Sequence, residues 1–475
     1  MRAMPAPPTK TRFAPSPTGN LHLGNLRTAL FSALHTWSVG GRFLLRIEDT
    51  DAERSRSAFT EALQDDLRWL GLDWQEGPGA DGGHGPYLQS ERGSIYEGFY
   101  TRLLDEGHAY PCFCTQEQLA AQRAAQRASG RPPRYAGTCA HLGHAEAEAR
   151  VRAGEAHTLR FRVPEGRTLD FEDLVRGRQA FASDDIGDFV IRRADGTPAF
   201  FFCNAVDDAL MEVTHVWRGE DHISNTPRQL LIMRALGLRE PSYGHLALIV
   251  GADGAPLSKR HGALGLGELR RRGYLPAALN NYLARLGHSY ADDGLLDMVG
   301  LAAGFDTARL GRAAARFDMD QLNHWQRLAV AAADDAVFLE WAGAAVAPVP
   351  PASRDVFLAA IRDNVLFPDD VALWAEALFA ASPPRSAEAE TAMRAAPASL
   401  FEAGLEALDQ HPQDFRAWAK AVGAATGLKG RDLFMPLRAA LTGQVHGPEM
   451  TRVFPLMDEA GVRERLLSAA RFATE

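Results

Sequence analysis

Near its start the chain spells out a strand, a tight turn and a helix, and few folds accommodate that order. Thr11-Arg12-Phe13-Ala14-Pro15 reads as a short strand that Pro15 and Pro17 bring to an end, and Thr18-Gly19-Asn20 reads as a turn. Leu23, Leu26, Leu30, Leu34 and Trp37 then recur at helical spacing as an apolar stripe, which Gly40-Gly41 terminates. A second strand, Arg42 to Ile47, runs into Glu48-Asp49-Thr50-Asp51. Strand, helix and strand at this spacing make a βαβ unit, and with it a parallel sheet covered by helices.

The remaining chain divides by texture. Its 475 residues suggest about three domains at roughly 150 residues each, and 46% hydrophobic residues are enough to fill several cores. Between Cys112 and about Val190 short runs, many arginines and the turn-rich GRPPRYAGTC suggest an inserted domain. Strand and helix return at Pro198–Val206, Val213–Arg218 and Leu246–Val250. From about Leu269 the pattern is helical and rich in Ala, Leu and Arg, with VAPVPPAS and SPPRS as linkers or helix ends. A net charge of −9 excludes a polycation that coats nucleic acid by bulk charge, while leaving room for a local basic groove. Four cysteines are too few for a disulfide framework. MRAMPAPPTKTR lacks an apolar h-region and no window approaches eighteen uncharged apolar residues, so a cytoplasmic chain without a membrane span is expected.

Four groups of residues carry chemistry. A helix starting at His22-Leu23-Gly24-Asn25 would offer unpaired N–H groups and its positive dipole end to a phosphate. His22 and Asn25 would add donors, and Gly24 would let a flat base approach the backbone; a chance histidine in a βα turn is an equal reading of the tetrapeptide alone. Lys259 and Arg260, in APLSKRHG, could neutralise a departing pyrophosphate, or form a solvated basic turn. Cys112, Cys114, Cys139 and His141 make a tetrahedral donor set for structural Zn²⁺, the plainer reading being free thiols. Arg123, Arg127, Arg131 and Arg134 occupy a stretch without acids from Gln118 to His144, as a phosphate-contacting or merely solvated face.

HLGN and PLSKR, with FAPSPTG before the first and RIEDTD after it, together resemble the HIGH and KMSKS motifs of class I aminoacyl-tRNA synthetases. More narrowly, these strings, VTHVWRGEDHISNTPRQ and PLRAALTG resemble the bacterial glutamyl-tRNA synthetases, over essentially the whole chain. The resemblance implies a multidomain α/β protein: a Rossmann-type parallel-sheet catalytic domain, an inserted zinc-bearing acceptor-stem domain, and an all-α anticodon-binding half. The expected divisions are 1–110 and 198–265 for the catalytic halves, 111–197 for the insertion, 266–330 for stem-contact helices and 331–475 for the anticodon domain.

The resemblance also assigns roles. His22, Gly24, Asn25, Lys259 and Arg260 would be catalytic, and Pro15, Thr18, His22, Gly24 and Lys259 would hold ATP. Arg12, Ala14, Ser16, Glu48, Phe200, Asn204 and Arg218 would hold glutamate: the arginines for its carboxylates, Glu48 for its ammonium. The expected reaction is ATP-dependent attachment of L-glutamate to tRNA(Glu) through glutamyl-adenylate, with Mg²⁺ accompanying ATP, one structural zinc and a monomeric enzyme. Two departures stand out: Pro256 replaces the loop's first lysine, and Phe200 stands where many members have tyrosine, strand core being its plainer reading. Asn364 falls near the position that reads the last anticodon base, where an arginine favours discrimination, so charging of tRNA(Gln) stays open. A glutaminyl enzyme with a β-barrel anticodon region, a truncated paralogue modifying a tRNA base, a HIGH-type nucleotidyltransferase and a pure RNA-binding module are the alternatives.

Overall fold

The computed structural model describes residues 8–17, 19, 21–50, 57–130, 132–257 and 265–474. Thr18, Arg131, Lys259 and Arg260 lie outside the described residues. The chain divides into two compact units, residues 1–268 with 280–318, and residues 269–279 with 319–475.

The first unit opens with β1 (Lys10–Phe13), α1 (Leu23–Ser38) and β2 (Arg42–Leu45). The two strands run parallel, Lys10 opposite Arg42 through Phe13 opposite Leu45, as the βαβ reading requires. Leu23, Leu26, Leu30 and Leu34 are buried along α1, and Trp37 is half-buried at its end. Helices α2 (Ser57–Trp69) and α3 (Gly93–Asp105) lead to β3 (Ala109–Cys112). Then come α4 (Gln116–Ala128), α5 (His144–Arg152), β4 (Thr158–Phe161), β5 (Thr168–Asp173), β6 (Gly177–Ala182), α6 (Ser183–Ile186) and β7 (Phe189–Arg192). β3, β4 and β7 form a small antiparallel sheet of their own. The β5–β6 hairpin does not join it. It extends the main sheet instead, through Asp173 opposite Tyr243.

That main sheet is completed by α7 (Phe200–Leu210), β8 (His215–Gly219), α8 (Thr226–Ala235) and β9 (Ser242–Leu246). Its strand order is β2-β1-β8-β9-β5-β6, parallel throughout except for the final hairpin. β1 hands the chain to β2 on one side, and its other neighbour β8 hands it to β9 on the far side. The crevice above the carboxyl ends of β1 and β8 is therefore a topological switch point, where parallel α/β sheets bind ligands. A short parallel pair, β10 (Ile249–Val250) with β11 (Ala315–Arg316), lies outside this sheet.

One stretch departs from the sequence reading. Phe200-Phe201-Phe202 is not strand core but the first turn of α7, where Phe202 and Val206 are buried one helical turn apart. A continuous apolar run carries no period, so β-propensity and helix formation cannot be told apart locally, and packing decides.

The second unit is helical. Its core gathers Phe357, Trp374, Phe401, Trp418 and Phe454 among many alanines and leucines. Buried Arg465 ties helix ends together, donating to the carbonyls of Ala377 (2.7 Å), Leu378 (3.1 Å), Ala380 (2.7 Å) and Leu441 (2.5 Å). SPPRS separates the helices Pro368–Phe379 and Ala387–Arg394, the helix-end role expected of it. Asn364 closes a single 3₁₀ turn, Arg362–Asn364. No helix among the described residues is long and apolar enough to cross a membrane.

Candidate active site

The switch-point crevice opens into a cavity of about 440 Å³, lined by Arg12, Ala14, Pro15, Ser16, His22, Asn25, Glu48, Phe200, Asn204 and Arg218. Residues spread over two hundred positions of sequence thus meet in one space. The parallel ladder explains part of this convergence. Arg46 N–H donates to Phe13 C=O and Glu48 N–H donates to Pro15 C=O (3.0 Å each), so β2's extension places Glu48 beside the turn that follows β1.

At the upper wall, α1 begins. His22 is its N-cap, and the Asn25 backbone N–H donates to His22 Nδ1 (3.3 Å). Nδ1 must then be unprotonated, which leaves the ring proton on Nε2 as a donor for an incoming oxygen. Burial lowers the His22 pKa, with Asp221 pulling the other way, so the ring is neutral near pH 7. A Cβ on Gly24 would stand 3.2 Å from His22 Cε1 and Nδ1. The bare glycine thus makes room for the imidazole itself.

The floor is ionic. Arg12 Nε donates to Asp208 Oδ1 (3.2 Å). Arg46, fully buried, donates to Asp208 Oδ1 (2.7 Å), Asn204 Oδ1 (3.0 Å) and Glu48 Oε1 (3.5 Å). Next to Asp208, Asp207 accepts from Arg92 Nε (2.7 Å), Gln89 Nε2 (2.9 Å) and the Tyr96 hydroxyl (2.8 Å). Burial pushes the Glu48 carboxyl above its ordinary value against the pull of Arg46 and Arg12. Burial likewise brings Arg218 down to about 10, still cationic at neutral pH. Arg218 Nη1 is buried with no hydrogen-bond partner, leaving a cationic donor unspent in the cavity wall.

Sequence reasoning missed Arg46, Asp207 and Asp208, which orient the floor, and Trp217 and His222, which complete the lining. One signal was available. Phe200, Asn204 and Asp208 recur every four residues, so a helix would carry them on one face. Of the loop, Pro256 bridges Val250 and Leu257 N–H donates to Ile249 C=O (2.9 Å). Beyond the undescribed residues, Leu266 N–H donates to Leu21 C=O (3.1 Å), immediately before His22.

The second cluster lies by the small sheet. The sulfurs of Cys112, Cys114 and Cys139 all lie within 4.8 Å of one another, a donor set that fits a zinc site. His141, expected as the fourth ligand, does not join them. It is exposed in the turn beyond Cys139, and the Tyr135 hydroxyl faces the sulfurs instead, at 3.3 Å from Cys112 and 3.5 Å from Cys114. Burial raises the Cys112 thiol, but hydrogen bonds from Tyr135 and the Cys114 backbone and the neighbouring Arg160 outweigh it and bring it to about 7. Arg123 and Arg127 stand on α4, a helix with no buried residue, and Arg134 is exposed with its guanidinium on the Asp184 carbonyl.

Comparison with known proteins decides the family. Residues 8–324 match the family of tRNA synthetases class I (E and Q), catalytic domain. The chain belongs to the class I tRNA synthetases. Residues 338–470 of this synthetase match an anticodon binding domain. "Glutamate--tRNA ligase 2" of Alkalilimnicola ehrlichii is 58% identical and "Glutamate--tRNA ligase 1" of Halorhodospira halophila 55%, each over 98% of both chains. A crystal structure of a glutamate tRNA ligase from Elizabethkingia meningosepticum in complex with its amino acid superposes with a TM-score of 0.88 at 28% identity, covering 98% of the synthetase and 99% of that chain. The family match sets the nucleotidyltransferase and RNA-binding alternatives aside, and none of these names supports charging of tRNA(Gln).

Proposed function

We propose that the chain is a glutamate–tRNA ligase that charges tRNA(Glu) in two steps. The observation that carries this reading is the cavity floor: two buried cations, Arg12 and Arg218, face one buried anion, Glu48, with charges opposite to those of an amino acid bearing two carboxylates and one ammonium. Glutamine offers one carboxylate fewer and would leave one of these buried arginines without a substrate anion, a costly mismatch.

In the first step the glutamate α-carboxylate oxygen attacks the α-phosphorus of ATP, and the bond to pyrophosphate breaks. His22 Nε2–H and the first N–H groups of α1 face the phosphates and stabilise their growing charge, as a preorganised helix terminus does. Pro15 borders the nucleotide, with Thr18, Gly24 and Lys259 assigned there by family resemblance, and Ser16 stays with the glutamate-binding residues. Lys259 and Arg260 supply cations for the leaving pyrophosphate. In the second step the terminal ribose hydroxyl of the tRNA attacks the acyl carbon and AMP leaves. No protein nucleophile takes part. Magnesium, bound with ATP, would supply further charge neutralisation. Zinc at Cys112, Cys114 and Cys139 would brace the small-sheet region, and Arg123, Arg127, Arg131 and Arg134 would meet tRNA phosphates.

Pyrophosphate exchange tests the reading. Glutamate with tRNA(Glu) should support exchange, and exchange without tRNA should be weak. Exchange supported equally by another amino acid, or by no amino acid, would overturn it.

A further inference from the structure

Behind Arg218 a file of buried side chains determines which of its N–H groups remain for a ligand. Arg218 Nε donates to His245 Nε2 (3.1 Å) and Nη2 donates to Thr226 Oγ1 (2.7 Å). Arg218 also lies over the Tyr243 ring, 4.9 Å from its centroid. Nη1 is the one guanidinium nitrogen that is buried with no partner at all, so both of its N–H groups are unspent. Every guanidinium nitrogen is a donor, so His245 Nε2 has to accept. The single ring proton of His245 must therefore sit on Nδ1, and Nδ1 lies 2.5 Å from Asp173 Oδ2.

Asp173 is itself immobilised. Its Oδ1 accepts backbone N–H groups of Val175 (2.9 Å), Arg176 (2.8 Å) and His245 (3.3 Å), and neither it nor His245 exposes any side-chain surface. With Oδ1 taken, Oδ2 is the acceptor that selects the histidine tautomer. Burial opposes a second proton on His245, which keeps Nε2 free to accept. Asp173 arrives from the β5–β6 hairpin at the edge of the main sheet, so a residue outside the cavity lining reaches it through one imidazole.

We propose that Asp173 is a positioning residue for amino-acid recognition: by fixing the His245 tautomer it holds Arg218 so that Nη1, the nitrogen with no protein partner, is left for the substrate carboxylate. This rests on the reading of Arg218 as a glutamate ligand, which Arg218→Ala tests separately.

Asp173→Asn is nearly isosteric, and its Oδ1 can keep the three backbone bonds. Its amide would donate to Nδ1, moving the ring proton to Nε2, where it meets Arg218 Nε–H donor to donor and competes with Arg218 Nη2 for Thr226 Oγ1, 3.1 Å from Nε2. The glutamate KM of aminoacylation should rise about tenfold or more, with the ATP KM within about twofold. In a His245→Gln background the side-chain amide oxygen can accept from Arg218 without any tautomer, so adding Asp173→Asn should cost less than about threefold. A folded Asp173→Asn enzyme with wild-type glutamate KM overturns the proposal, as does an equal cost in both backgrounds. Arg218→Ala with unchanged glutamate KM would instead remove the glutamate reading of Arg218. If Asp173→Asn does not fold, ¹⁵N NMR of the wild-type imidazole decides: protonated Nδ1 is expected, and protonated Nε2 overturns the relay.

Discussion

Glu48 shows what a binding pocket demands of one residue. Its carboxyl is buried, and burial raises its pKa despite Arg46 at 3.5 Å and Arg12 nearby. A raised pKa means that the folded protein holds this proton more tightly than the unfolded chain, whose carboxyl titrates near 4.5. Its contribution to stability is thus favourable at low pH and is lost as pH rises past that value, where ionisation opposes folding. A substrate ammonium would offset the conflict. Glu48→Gln without amino acid should therefore be at least as stable as wild type in urea at pH 7, while its glutamate KM rises at least about tenfold. Wild-type KM should also climb as pH falls toward the raised pKa of Glu48. A variant that is less stable yet binds normally would contradict both halves. The strand placed an acidic run at Glu48-Asp49-Thr50-Asp51, and the family resemblance singled out Glu48 within it. Arg46, two residues before Glu48, was not legible, since a charged residue within a strand looks solvated until its partners on α7 are known.

At the scale of elements, α7 is the part that the sequence concealed. The aromatic run's plainer reading is strand core, yet the helix sends Asp207 and Asp208 inward to hold Arg12, Arg46, Arg92 and Tyr96 in place. Asp207→Ala would leave Arg92, 1% exposed, without its carboxylate. Removing one partner of a buried pair costs about 3–5 kcal/mol. Urea unfolding should show a loss on that scale, with Asp207→Asn intermediate because it keeps two of the polar contacts. By contrast β1, α1 and β2 were readable, since a helical stripe between two strands has one compact solution. The small sheet makes its own test. Elemental analysis should find one zinc per chain, abolished by Cys112→Ser with Cys139→Ser. Because His141 stands apart from the three sulfurs, His141→Ala should retain more zinc than either cysteine variant; equal loss would restore it as a ligand.

Across the whole molecule, charge and task pull in opposite directions. A net charge of −9 repels a polyanion on average, so binding to tRNA has to be won by local fields. α4 suits that purpose: it buries nothing, and Arg123 and Arg127 share one exposed face. Each phosphate neutralised releases condensed counterion and contributes about 0.7–0.9 to the slope of log K against log salt. If both arginines meet phosphates, Arg123→Ala with Arg127→Ala should lower that slope by about 1.4–1.8 and weaken tRNA binding most at low salt. Glutamate and ATP binding should not change, since the cavity contains neither residue. Filter binding over a salt series reads the slope directly. A double variant with unchanged slope would make α4 a solvated face, and the field that overcomes the net charge would then have to come from elsewhere on the surface.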